Sequence, residues 1–247
     1  MRNMTCFLAG AALALGASTA NASVVVLDFE GIDTSYPFAN GIGILDFYNG
    51  GTSSIGSSGS NYGASFDSNA VSLCLNSSTV FCSGSSRGGL APSSAKGGFM
   101  LAEDGEAVLD FAAGFDTAIS FAYAQQDAFQ IPAAVYVYDG LGGSGNLLGF
   151  LDLGYTATAC DIGVYGAYFC PFEIASLDFA GIGRSLVFEG SSSYLAFDDV
   201  TLGSSTPGWE ANGGVPGVPE PSSWALLIAG FGLIGLSARS RRRFAHD

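Results

Sequence analysis

The chain has 247 residues, a formal net charge of −14 and a single histidine, His246, next to its end. Acidity on this scale argues against a nucleic-acid partner or an anionic membrane surface, because like charges repel. One histidine in the tail also leaves a Ser-His-Asp hydrolase without its general base.

Residues 1–22 begin with one positive charge at Arg2, run through an apolar stretch from Phe7 to Leu15, and finish in Ala20-Asn21-Ala22. Charged start, short apolar run and A-x-A site together read as a secretory signal peptide cleaved after Ala22. Cys6 has the wrong residues before it to be a lipoprotein cysteine.

Residues 23–203 are expected to form one all-β domain, a β-sandwich or jelly roll. Runs rich in β-branched and aromatic residues recur, commonly closed by glycine. In chain order they are SVVVLDFEG from Ser23, GIGILDFYNG from Gly41, EAVLDFAAG from Glu106, AISFAYAQ from Ala118 and AAVYVYDG from Ala133. NLLGFLDLG from Asn146, SLDFAG from Ser176, RSLVFEG from Arg184 and YLAFDDVTLG from Tyr194 follow. Alternation in the fifth run places Val135 and Val137 on one face and Tyr136 and Tyr138 on the other. Leu-Asp-Phe occurs at residues 27–29, 45–47, 109–111 and 177–179, at spacings too irregular for a tandem repeat. Short strands at such intervals, without helical periodicity between the two ends of the chain, point to a sandwich.

The stretch from Tyr48 to Gly98 is dominated by Gly, Ser and Asn, with one strand expected near Ala70 to Leu75. A loop of that length inside a compact domain is either functional or poorly ordered. Cys74, Cys82, Cys160 and Cys170 read as two disulfides in an exported protein. Three pairings are possible, and the two local ones are favoured because each would staple a loop. Zinc calls for closer cysteine spacing, which is absent, and usually histidine, and the one histidine, His246, lies in the tail. The GLGGSG run, Gly140 to Gly145, fits a dinucleotide fingerprint only in letters. A strand follows it rather than a helix, so a hairpin loop is expected.

Of the 22 acids, all but Glu220 and Asp247 fall between residues 23 and 218, against only Arg87, Lys96 and Arg184 there. Such a balance suits solubility outside the cell or attraction for cations. If the first and last strands lie side by side, as they do in jelly rolls, Glu30 would face Asp198 or Asp199, and hard oxygen ligands of this kind suit Ca²⁺. The early Phe-Glu and late Asp-Asp-Val resemble jelly-roll carbohydrate-binding modules, a likeness that implies a structural calcium shared by these residues. Rings for stacking on sugars are supplied by Tyr48, Tyr62, Tyr136, Tyr138, Tyr155, Tyr165 and Tyr168. A glycosidase would need only two suitably spaced carboxylates, so a carboxylate-based polysaccharide-degrading enzyme stands as an alternative to the non-enzymatic reading.

Residues 204–218 form a Gly/Pro/Ser-rich linker. Beyond it, Pro219-Glu220-Pro221 precedes an uncharged apolar run, 222–238, and then Arg239, Arg241, Arg242 and Arg243. At about 1.5 Å per residue the run just spans a bilayer, and the arginines would stay on the cytoplasmic side as a membrane stop. Tripeptide, short helix and arginines, over 219–247, resemble the PEP-CTERM sorting signal of Gram-negative bacteria that make extracellular polysaccharide. The resemblance implies recognition of Pro219-Glu220-Pro221 by an exosortase, passage through an inner-membrane intermediate, and delivery to the cell surface or biofilm matrix. The expected function is a non-enzymatic matrix protein that binds or organises polysaccharide; an inert acidic adhesin is the alternative.

Overall fold

A computed structural model describes residues 24–32, 41–74, 97–102, 105–125, 132–156 and 172–208. Eleven strands are found there: β1 (Val25–Leu27), β2 (Ala64–Phe66), β3 (Ala70–Cys74), β4 (Gly97–Leu101), β5 (Glu106–Phe115) and β6 (Ala118–Gln125), then β7 (Ala133–Tyr138), β8 (Leu147–Leu153), β9 (Glu173–Asp178), β10 (Gly183–Glu189) and β11 (Leu195–Leu202). They make two antiparallel sheets. Sheet one runs β3-β4-β11-β6-β9 with β1 also on β11, and sheet two runs β2-β5-β10-β7-β8. From β4 onward every connection except β7–β8 changes sheet. The inner orders β4-β11-β6-β9 and β5-β10-β7-β8 are those of an eight-stranded jelly roll.

The alternating residues of both sheets meet in one core. Phe99 of β4 lies 4.9 Å from Phe29, 5.0 Å from Phe188 and 5.0 Å from Phe197, ring centroid to ring centroid, so a single ring ties the two sheets together. Each such ring contributes about 1.5–3 kcal/mol by burial, and the paired geometry adds about 0.5–1.5 kcal/mol. A smaller cluster of Leu73, Met100, Ala124 and Ala196 covers the opposite face of sheet one.

Eight of the nine sequence runs become strands, and GIGILDFYNG does not. Leu45 sits at φ 52°, Gly41 at 81° and Gly50 at 75°, left-handed values that turn the chain instead of extending it. The segment lies along β3 without becoming a strand, through an isolated bridge of Gly43 to Val71 and backbone bonds from Gly41 to Ser72, Ser72 to Ile42 and Ile44 to Ala70. The segment still buries Ile42, Ile44, Phe47 and Tyr48 in the core. The first half of the glycine- and serine-rich stretch is likewise built into the fold. The Tyr48 carbonyl accepts the amides of Tyr62, Gly63 and Ala64 at 2.8, 3.0 and 3.2 Å, which delivers the chain into β2. Residues 75–96 lie outside the described part.

β2 and β4 carry no sequence signal of their own. β4 opens on Gly97, where a Cβ would stand 2.4 Å from the Phe29 carbonyl oxygen, so glycine is needed for this close crossing. Among the described residues no helix is long and apolar enough to cross a membrane, and the expected signal peptide, 1–22, and the apolar 222–238 run lie outside them.

Candidate functional site

Two places gather chemistry. The first is where β1 and β11 meet, paired as Val25↔Leu202 and Leu27↔Val200, the adjacency expected for the first and last strands. On β11, Phe197 and Val200 both enter the core although they are three residues apart, and the register against β6 shifts between Asp198 and Thr201. This is a β-bulge, with Asp199 at φ 51°. It draws two consecutive carboxylates inside, and both Asp198 and Asp199 are buried.

Asp198 Oδ1 accepts the Asp199 amide at 2.7 Å, whereas its Oδ2 is buried without a hydrogen-bond partner. Burial, then the charges of Asp199, Glu30 and Asp28, push the Asp198 carboxyl well above the ordinary range; the Asp199 amide opposes them only in part. Glu30 lies close enough for its charge to act on Asp198, and its Oε1 accepts the Gly97 amide at 2.7 Å.

Asp28 and Tyr48 belong as well, and sequence reasoning missed both. The Tyr48 hydroxyl donates to Asp28 Oδ1 at 3.1 Å and accepts the Phe29 amide at 2.6 Å. Burial, followed by the charge of Asp28, raises the Tyr48 phenol well above its usual value. Tyr48 was a candidate sugar platform; it is instead a core residue. The bulge itself had a signal: the apolar positions Leu195, Phe197, Val200 and Leu202 break the two-residue period at Asp198-Asp199.

The donor set is chemically right for calcium, which takes six to eight oxygens. An orphaned buried carboxylate oxygen is also what a cation would satisfy. Among the described residues, however, no group of three or more acids, cysteines or histidines is placed to hold a metal ion. These carboxylates alone are an incomplete cage.

The second place is the outer face of sheet two. Its registers align side chains in three lateral rows. The middle row is apolar: Val108, Val187, Tyr136 and Phe150 on β5, β10, β7 and β8. The Tyr136 and Phe150 rings stack at 6.0 Å with 23° between planes, and Tyr138 lies 6.5 Å from Tyr136 at 32°. Phe150 is 53% exposed, unusual for a ring of this size. A second row is acidic, with Glu106, Glu189 and Asp152 separated only by Ala134. Partial desolvation first, then the Glu189 charge and a hydrogen bond to it, then Asp152, raise the Tyr136 phenol above its usual value. Those carboxylates thus border the ring.

The third row, Asp110 and Ser185, is covered by the GLGGSG segment, which is the hairpin loop expected between β7 and β8. The Gly142 amide donates to Asp110 Oδ1 at 2.6 Å and the Gly143 amide to Ser185 Oγ at 3.1 Å, while the Ser185 hydroxyl donates to the Gly140 carbonyl at 2.6 Å. Gly143 is at φ 64°, and a Cβ there would meet Val187 at 2.7 Å. The loop therefore lies against the sheet over β5 and β10, and beside the two rings the third row continues as Tyr138 and Leu147.

Of the other candidate rings, Tyr62 stacks on Tyr48 at 6.0 Å and Tyr155 is exposed. Tyr165 and Tyr168 lie outside the described residues. Phe150 was missed, although its alternation with Leu151 and Asp152 was visible. Cys74 is disulfide-bonded; Cys82, Cys160 and Cys170 fall outside the described residues, as do Pro219, Glu220, Pro221 and the four C-terminal arginines.

Comparison with known proteins decides the tail. Residues 217–243 match the PEP-CTERM protein-sorting motif. The chain carries a PEP-CTERM sorting motif. No curated protein matches it. Solved structures similar to this chain include a carbohydrate-binding module (CBM6cm-2) from Cellvibrio mixtus lichenase 5A in complex with cellotriose, at 10% identity and TM-score 0.31, covering 50% of this chain and 89% of that one. The catalytic domain of a GH87 alpha-1,3-glucanase in complex with tetrasaccharides is similar at 16% identity and TM-score 0.35, over 66% of this chain and 28% of the glucanase domain.

Proposed function

We propose that this is an exported, exosortase-processed surface or matrix protein whose β-sandwich binds extracellular polysaccharide without acting on it. The observation that carries the binding half is the exposed row of stacked rings, Tyr136 and Phe150 with Tyr138 beside them, on a flat sheet face. Aromatic faces at roughly sugar-ring spacing present apolar surface to the CH faces of pyranoses, and the bordering Asp152 and Glu189 offer acceptors to hydroxyls. The sorting half rests on the motif at 217–243, with Pro219-Glu220-Pro221 as the recognition site. Arg239, Arg241, Arg242 and Arg243 would act as the stop that holds an inner-membrane intermediate.

In this reading Glu30, Asp198 and Asp199 are structural. A Ca²⁺ ion there would neutralise the buried Asp198; the unbonded Oδ2 supports it, and the incomplete cage counts against it. Local pairing of Cys74 with Cys82 and of Cys160 with Cys170 belongs to the same proposal.

Retention in gels cast with soluble polysaccharides tests binding. Wild-type protein retarded by a glycan, with the Tyr136→Ala/Phe150→Ala double variant running freely, is the expected outcome. Equal mobility across all glycans would leave the inert acidic adhesin. Release of reducing ends that survives Tyr136→Ala but not Glu189→Gln would make the chain an enzyme. Intact masses of surface fractions from an exosortase-bearing host, compared with Glu220→Ala, test sorting.

A further inference from the structure

The outer face of sheet two is a two-sided strip. Along one side run apolar groups ending in two stacked rings. Along the other, one residue pair further up each strand, run Glu106, Glu189 and Asp152. Same-face neighbours on a strand are about 7 Å apart, a distance that one sugar ring with its substituent spans. On the remaining side Tyr138 and Leu147 stand beside the rings and the 140–145 loop covers Asp110 and Ser185, so the acidic groups lie along the opposite edge of a ligand on the rings.

Among the described residues Arg184 is the one basic side chain, and it is bound to the Ala112 carbonyl at 3.0 Å at the far end of β10. No cation among the described residues competes for the acidic row. Rings that stack beside carboxylates favour a ligand that is apolar on one face and positively charged at its edge, because ammonium groups gain from both the ring quadrupole and the anions. A glycan carrying uronate or sulfate would meet repulsion instead.

Resting on the glycan-binding reading above, we infer that this strip selects an amino-sugar polysaccharide with free ammonium groups, a hexosamine polymer that is at least partly N-deacetylated. Sugar rings stack on Tyr136 and Phe150, and the 2-ammonium groups meet Glu189 and Asp152.

Isothermal titration of the intact sandwich in mildly acidic, low-salt buffer compares four probes: a glucosamine hexamer, its fully N-acetylated counterpart, a cello-oligosaccharide and an oligoguluronate. The glucosamine hexamer is expected to bind about tenfold more tightly than the acetylated one, and the oligoguluronate not at all. Glu189→Gln with Asp152→Asn erases that preference, bringing the two hexamers to equal affinity. Tyr136→Ala removes both. A charge-matched control, Glu173→Gln with Asp178→Asn on exposed β9, retains the preference; if it loses as much, the attraction is generic and the inference falls. Equal binding of acetylated and free hexamers also overturns it while leaving the glycan-binding reading intact. Binding of no probe removes both.

Discussion

The two acidic places use the same ingredients, a tyrosine flanked by carboxylates, and water access makes them different. At the β11 bulge the carboxylates are buried, Tyr48 is spent holding Asp28 and the Phe29 amide, and Asp198 is pushed toward its neutral form. On sheet two, Glu189 and Asp152 stand exposed beside a half-buried ring that stacks on the exposed Phe150. Buried acids act on the fold, whereas exposed ones are available to a ligand. Composition alone does not separate the two.

Substitutions sharpen the contrast. The largest effect is expected from Gly97→Ala, which drives a methyl into the Phe29 carbonyl and destabilises the sandwich by about 3 kcal/mol in urea unfolding. Tyr48→Phe follows. It strips a buried amide and Asp28 of their partner at a cost of about 2 kcal/mol, seen as a melting temperature lowered by several degrees.

Asp198→Asn works in the opposite direction. The folded state raises this carboxyl's pKa, so its contribution is most favourable below the ordinary carboxylate range and is lost as pH rises through the folded value. In a chelator the wild type is therefore more stable in mild acid than at neutral pH. The variant flattens that slope and gains about 1–2 kcal/mol at neutral pH. If calcium binds, adding it to the wild type recovers the same stability and leaves the variant unmoved. Smallest is Tyr136→Ala with Phe150→Ala, a loss of under about 1 kcal/mol from an exposed cross-strand pair. Binding should vanish while the melting curve barely moves.

Where the fold obeys a short period, it was legible. Val135 and Val137 inward with Tyr136 and Tyr138 outward follows from one buried face, and the pairing of the first strand with the last follows from the jelly-roll order. What escaped depends on geometry without a local code. Leu45 adopts a left-handed conformation despite its side chain, and that turn is what brings Tyr48 to Asp28, twenty residues away. The three rows on sheet two need the registers of β5, β10, β7 and β8 together, which no single segment states. Phe150 faces solvent against the usual preference of its side chain, so a reading that seeks core residues passes over it. The sorting motif was readable because its order of tripeptide, apolar run and arginines is linear.

Chain entry and exit share one edge of the molecule: Val25 at the start of β1 lies beside Leu202 at the end of β11. After β11 the chain folds back, with the Gly203 amide on the Ala118 carbonyl, the Ser120 hydroxyl on the Ser204 carbonyl, and the Gly208 amide on Thr201 Oγ1. Mechanically this is a strain relief. A pull on the tail must peel residues 203–208 away before it loads β11, and β11 is an interior strand bonded along both sides. Residues 203–208 pack on sheet one, so the stacked rings of sheet two lie on the lee side of a pull applied there.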